Sequence, residues 1–169
     1  MDTITLQDAY RALLDAAATV AACDDTRPAP PDGAWDADQI LAHVALIDAA
    51  TISAVCAAAT GATTTYDNRT AQDTWTLDRV ITLAGGNVGL RNRIRVQADA
   101  LCALAGPMLS ETERNTLVPT LLLSNGKVLV DQPVRLADLI AGLADAELPG
   151  HTRQLLALLP EDAAKQTTP

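Results

Sequence analysis

Apolar residues recur at helical spacing through most of the chain. Near the N-terminus, Tyr10, Leu13, Leu14, Ala17 and Val20 form one stripe. It predicts a helix from about Leu6 to Ala22, with Thr5 as cap and Asp8 at the capping-box position. Asp24-Asp25 ends that helix, and the three prolines between Arg27 and Gly33 read as a loop. A second helix is predicted from about Asp36 to Ala59. Asp36 and Gln39 stand at cap spacing, and Ile40, Val44, Ile47, Thr51 and Val55 lie on or near one face. Gly61 closes it, and Ala62 to Thr74 reads as a polar loop. A third helix is predicted from about Leu77 to Leu104, capped by Thr76, with Leu83, Leu90, Ile94 and Leu101 facing the core. Gly85, Gly86 and Gly89 fall inside it, each costing about 1 kcal/mol against Ala. Close helix packing or room for a ligand would account for them.

Gly106-Pro107 breaks the pattern, and Ser110 to Leu117 reads as a short helix with Ser110 and Glu113 at cap spacing. Thr120 to Leu123 and Lys127 to Val130 then flank Ser124-Asn125-Gly126. Asn-Gly between apolar runs is a hairpin signal, because a type I′ turn needs positive φ at both central residues. Two strands do not stand alone, so the hairpin must pack on the helices or pair with a second subunit. Its strands carry few charges, and an unprotected edge invites pairing, which points to a homodimer. The last helical region is predicted from about Leu136 to Leu159, with a kink or restart at Pro149-Gly150. The expected fold is all-α, a four-helix bundle with a small β-hairpin near residues 120–131. It forms one domain over residues 1–160, followed by a flexible tail over residues 161–169.

Composition sharpens this picture. Of 169 residues, 49% are hydrophobic, Phe is absent, and only two Trp and two Tyr occur. The core must then be built from Ala, Leu, Ile and Val, whose small side chains let helices approach closely. The net charge of -9 repels a phosphate backbone and argues against nucleic acid. The local cluster Arg91, Arg93 and Arg95 does not reverse this. Cys23, Cys56 and Cys102 are far apart and form no CxxC, which speaks against a disulfide framework or a thiolate zinc site. No basic run precedes an apolar stretch, so no signal peptide is expected. Polar residues interrupt every apolar run, so no membrane span is expected either. A cytoplasmic location follows as the expectation. The basic residues are mostly Arg and Ala is abundant, a usage typical of GC-rich genomes such as those of actinobacteria.

The chain has two histidines. His43 lies between Ile40 and Ile47 on the core face of the second helix. On the last helix, the stripe Leu136, Ile140, Leu143 continues into Glu147, His151, Leu155 and Leu158. Three ionisable residues thus stand where the pattern calls for Leu. Burying a carboxylate without a partner is costly. Two imidazoles and one carboxylate resolve the cost by binding a divalent metal, Zn²⁺ first, with Ni or Fe as further options. The other resolution is a buried Glu–His pair with His43 packed beside it.

The segment Trp35-Asp36-Ala37-Asp38-Gln39-Ile40-Leu41-Ala42-His43-Val44-Ala45 resembles the first signature of the DinB/YfiT-like superfamily, which includes the mycothiol-dependent maleylpyruvate isomerases. The segment from Val134 to Leu156, with Glu147-x-x-x-His151-x-x-Gln154, resembles the second. The resemblance implies a helical bundle with a metal on His43, Glu147 and His151, and Gln154 orienting one ligand. It further implies a metal that activates water or a thiol such as mycothiol for S-transfer or isomerisation. Pro149-Gly150, between Glu147 and His151, departs from the pattern and threatens to splay the two ligands.

No GxSxG or phosphate-cradling glycine motif occurs. Cys56 falls opposite His43 on an ideal helix. Tyr66, Asp67, Asn68 and Arg69 form a polar segment that either contacts a ligand or is plain surface. Asn87, Arg91 and Arg95 share a helix face, to meet an acidic substrate or only solvent. Two functions are therefore expected to compete. One is a metal-dependent thiol transferase or isomerase acting on a small molecule. The other is a metal-free bundle that binds a small molecule or serves as a biosynthetic accessory.

Overall fold

The computed structural model describes residues 3–23, 33–124 and 126–160. The proline-rich loop after Arg27, the turn residue Asn125 and the tail from residue 161 lie outside the described residues. The protein is mostly helical with a small three-stranded sheet. Its elements are α1 (Ile4–Ala22), α2 (Ala37–Ala59), β1 (Tyr66–Asp67), a 3-10 turn (Arg69–Gln72), α3 (Thr74–Ala84) and α4 (Asn87–Ala103). A π-turn (Leu104–Met108), α5 (Glu111–Arg114), β2 (Leu117–Ser124) and β3 (Lys127–Arg135) follow. The chain then runs through α6 (Leu136–Gly142), a second π-turn (Leu143–Glu147) and α7 (Leu148–Leu156).

The predicted stripes are the core. Tyr10, Leu13, Ala17 and Val20 of α1 are buried, as are Ile40, Val44, Ile47, Thr51 and Val55 of α2. Leu90, Ile94 and Leu101 of α4 meet Leu136, Ile140 and Leu155 in the same interior. α2 packs along α4, and α1 packs along α7 and α4. Asn87 Nδ2 donates to Asp38 Oδ1 at 3.1 Å, and Gln97 Nε2 donates to the Ala45 carbonyl at 3.0 Å. The two contacts advance in the same direction on both helices, so α2 and α4 run parallel and α3 is the return segment. The capping boxes Asp36/Gln39 and Ser110/Glu113 are both present.

Several boundaries differ from the sequence reading. α1 starts at Ile4 with Thr3 at the cap position, and Asp8 pairs with Arg11 at 2.7 Å instead of closing a box. Asp73 caps α3 through the Thr76 N–H at 2.9 Å, so Thr76 lies inside the helix. The single third helix is in fact two. Gly85 (φ 79°) and Gly86 (φ 76°) are both left-handed, a conformation open to glycine at little cost. A Cβ on Gly89 would lie 1.7 Å from the Ala84 carbonyl oxygen. These glycines make a sharp corner rather than a ligand recess. Leu83, just before the corner, is 62% exposed while Leu77 and Val80 carry the core face.

The mainly helical expectation holds, and the predicted hairpin is part of a three-stranded sheet, whose order is β1-β2-β3. β2 and β3 form the predicted antiparallel hairpin, with Gly126 at φ 71°. The segment expected to be a polar loop contributes β1, parallel to β2, pairing Tyr66 with Thr120 and Asp67 with Leu121. Leu122 pairs with Val130 and Leu123 with Val128, which leaves Leu129 as an extra, bulged residue. The bulge and Pro133 both oppose strand addition.

α2 also corrects the membrane reading: by length and composition alone it is apolar enough to cross a bilayer. Its apolar character belongs to a helix whose window is 61% buried inside the protein.

One buried pair was not foreseen. Tyr10 Oη donates to Asp48 Oδ1 at 2.5 Å, and Asp48 is fully buried. Burial pushes the Asp48 carboxyl up to about 8, with the Tyr10 hydrogen bond only partly opposing. The folded state thus holds a proton that the unfolded chain releases near an ordinary Asp value. The contribution is fully present below about pH 4 and is lost as pH rises through about 8. Urea titrations should show wild-type stability falling relative to Asp48→Asn across that window, with a parallel pH dependence counting against a buried acid. Gly89→Ala should cost roughly 1–3 kcal/mol in the same assay, because the added methyl overpacks the α3–α4 corner.

Candidate metal centre

The core stripe of α2 carries His43 into the interior, where it is 3% exposed. Across from it, Glu147 ends the second π-turn and His151 lies one turn into α7. His43 Nε2 lies 3.0 Å, and His151 Nε2 3.2 Å, from the same oxygen, Glu147 Oε1. The two imidazole rings are 4.7 Å apart at 59°. One ligand-type atom from each residue lies within 4.8 Å of the others. The group could hold a metal ion.

Pro149 does not splay the ligands. The π-turn widens the helix immediately before it, and α7 restarts with Pro149 in its first turn. Proline is tolerated there because the π-turn, in which the Leu148 N–H reaches back five residues to the Leu143 carbonyl, breaks the regular ladder just before the ring.

The far nitrogens define what the near ones offer. His43 Nδ1 is 2.7 Å from the carbonyl oxygen of Ala71, and His151 Nδ1 is 2.7 Å from Gln154 Oε1. Both partners are acceptors, so each Nδ1 carries a proton and donates it. In the neutral imidazole, Nε2 is then a bare lone pair. Two such lone pairs and a carboxylate oxygen converge on one point, an arrangement that repels itself without a positive charge. A divalent ion satisfies it, and so do protons placed on Nε2. Hydrogen bonds to His151 and then His43 hold the Glu147 carboxyl well below the usual Glu range, against the upward push of burial.

The site opens on its carboxylate side. The Glu147 side chain is 38% exposed, against 4% for His43 and 11% for His151. The Trp35 ring lies 4.9 Å from the His43 ring, tilted by 43°.

The predicted substrate contacts fare unequally. Tyr66 is buried, its hydroxyl 3.4 Å from Thr51 Oγ1. Burial raises that hydroxyl to about 12, and the charges of Glu147 and Asp48 push the same way, so it sits within electrostatic reach of the centre. Asn68 is buried too, but its side chain is consumed by the backbone of β2. Asn87 and Arg91 form a chain to Asp38, with Arg91 Nε donating to Asn87 Oδ1 at 2.8 Å. That chain belongs to the α2–α4 seam, not to the three ligands. Arg95 pairs with Asn92 and Arg69 with Asp67 on the surface. Cys56 is exposed, apart from His43 as its helix phase required. The two surface grooves beside β1 include none of the three ligands. Sequence reasoning missed the Ala71 carbonyl, since a backbone acceptor leaves no mark in side-chain pattern.

The convergence predicts a ligand-linked stabilisation. Zn²⁺ at about 100-fold over its Kd should stabilise the wild-type protein by roughly 2.7 kcal/mol, read as a rise in Tm. The rise should vanish in His43→Ala and in Glu147→Ala. An equal rise in those variants would place the ion elsewhere.

Comparison with protein-family models, with curated proteins and with solved structures returns no match for this chain.

Proposed function

We propose that this protein is a metal-dependent enzyme of the DinB-like superfamily: a four-helix bundle in which His43, Glu147 and His151 hold one divalent ion. The observation that carries the reading is the convergence of two imidazole Nε2 atoms on one carboxylate oxygen, each imidazole held from behind by an acceptor. Such second contacts fix tautomer and ring direction in metal-ligating histidines. Two imidazoles and a carboxylate suit Zn²⁺, with Ni or Fe as neighbours in ligand preference, and leave positions open for an incoming group.

The reaction we assign is S-transfer or isomerisation of a small molecule with a thiol of the mycothiol type. A bound divalent ion would supply Lewis acidity, which lowers the pKa of a thiol or water in the site. The chain's own residues orient and shield. Ala71 and Gln154 hold the two imidazoles, and Trp35 covers the His43 ring. The half-exposed edge of Glu147 is the approach for substrate. Tyr66 offers a protonated hydroxyl beside it.

A second reading, a metal-free small-molecule binder or accessory protein, draws on one observation. Glu147 already stands at hydrogen-bond distance from both imidazoles, so protons alone could satisfy the cluster.

Elemental analysis of protein purified without a polyhistidine tag separates the two. About one divalent ion per chain, lost in His43→Ala and in Glu147→Ala, is the expected result. Substoichiometric metal that His151→Ala does not lower further would leave the Glu–His pair. Incubating the loaded protein with mycothiol and a panel of electrophiles then tests the chemistry. Thiol consumption no faster than in His43→Ala would remove the transferase assignment while keeping the metal.

A further inference from the structure

We propose that Asn68 is a positioning residue: it locks the turn that presents the Ala71 carbonyl to His43, and so keeps a proton on His43 Nδ1 and fixes the direction of Nε2. The consequence for metal affinity rests on the metal-site reading above. The consequence for the tautomer does not.

Asn68 is 6% exposed. Its Nδ2 donates to the Leu123 carbonyl at 2.9 Å, and its Oδ1 accepts from the Leu123 N–H at 2.8 Å. The side-chain amide therefore pairs with β2 as a strand residue would, just past the two-residue β1 and at the bulge. Its main chain is equally committed. The Asn68 N–H donates to the Leu121 carbonyl at 3.3 Å, and its carbonyl accepts from the Ala71 N–H at 3.0 Å. Gln72 Nε2, at the other end of the 3-10 turn, also donates to the Leu123 carbonyl. The turn Arg69–Gln72 is thus tied to one residue of β2 at both ends, and Ala71 sits between the ties, 4% exposed. From there its carbonyl meets His43 Nδ1 at 2.7 Å.

A backbone carbonyl cannot be removed by substitution, only displaced by moving its turn. Asn68 is the side chain whose loss would do that. Each of its polar groups already has a partner within the protein, which leaves none for a substrate. A free imidazole favours the proton on Nε2. Once the Ala71 acceptor drifts, that tautomer competes, and an ion must then displace a proton to bind.

The chain has two histidines, so imidazole ¹⁵N shifts of the metal-free protein at pH 8 can be assigned with His151→Ala. Wild type should show His43 protonated on Nδ1. Asn68→Ala should shift His43 toward the Nε2–H form and weaken Zn²⁺ about 10–100-fold, with far-UV circular dichroism unchanged. Gly89→Ala, destabilised at the α3–α4 corner and outside the turn that carries Ala71, should keep the wild-type tautomer and affinity, which separates positioning from mere loss of stability. Should Asn68→Ala not fold, Gln72→Ala removes one tie and should shift both readouts in the same direction by less. A variant that folds with the wild-type tautomer overturns the inference. Wild type that binds no Zn²⁺ but shows the tautomer change would overturn the metal reading and leave the positioning role intact.

Discussion

Two imidazole nitrogens and a carboxylate oxygen face one another across 3.0–3.2 Å in a half-dry interior. With protons on the far nitrogens, each near nitrogen is either a lone pair that a cation would satisfy or, once protonated, a donor to Glu147. Each imidazole is held from outside the cluster. Ala71 holds His43, Gln154 holds His151, and the π-turn and α7 fix the spacing of Glu147 and His151. The convergence is thus held by contacts outside the cluster and by the surrounding core, as pre-organised sites require.

That constraint explains where the fold becomes irregular. A 3-10 turn, a β-bulge and a π-turn all lie on the elements that reach the site. The 3-10 turn carries Ala71. The bulge at Leu122/Leu123 offers Leu123 as the anchor for Asn68 and Gln72. The second π-turn runs into Glu147 and admits Pro149 two residues before His151. Irregular backbone of this kind concentrates at functional positions because each instance redirects one group. α1, which carries none of the three residues, is a regular helix throughout.

The parts legible in the sequence were those written in periodicity. Stripes on α1 and α2, the Asp36 and Ser110 caps, the hairpin and the three ligand residues follow from spacing alone. Helix continuity across Gly85-Gly86 misled, because periodicity resumes at Leu90 in a phase close enough to hide the corner. β1 was invisible because two residues leave no alternation to detect. The role of Asn68 was misassigned for a different reason. A polar residue in a polar segment looks like surface, and only the register of β2 shows that its amide completes a sheet. Asp48 was overlooked on the buried face of α2, where Tyr10 from another helix supplies its partner.

Asp48 and Glu147 show how the same interior can treat two carboxyls in opposite ways. Asp48 meets one donor, Tyr10, leaves Oδ2 without a hydrogen-bond partner among the described residues, and has burial as its dominant influence. Its acid is pushed up and kept neutral, which makes it a core-filling group that tolerates the interior by giving up its charge. Glu147 meets two imidazoles on a single oxygen and retains contact with water. Its carboxyl is pushed down and kept ionised. Burial alone does not decide whether an interior carboxyl keeps its charge. The number and kind of partners around each oxygen do, and by that measure Glu147 stays ionised and Asp48 does not.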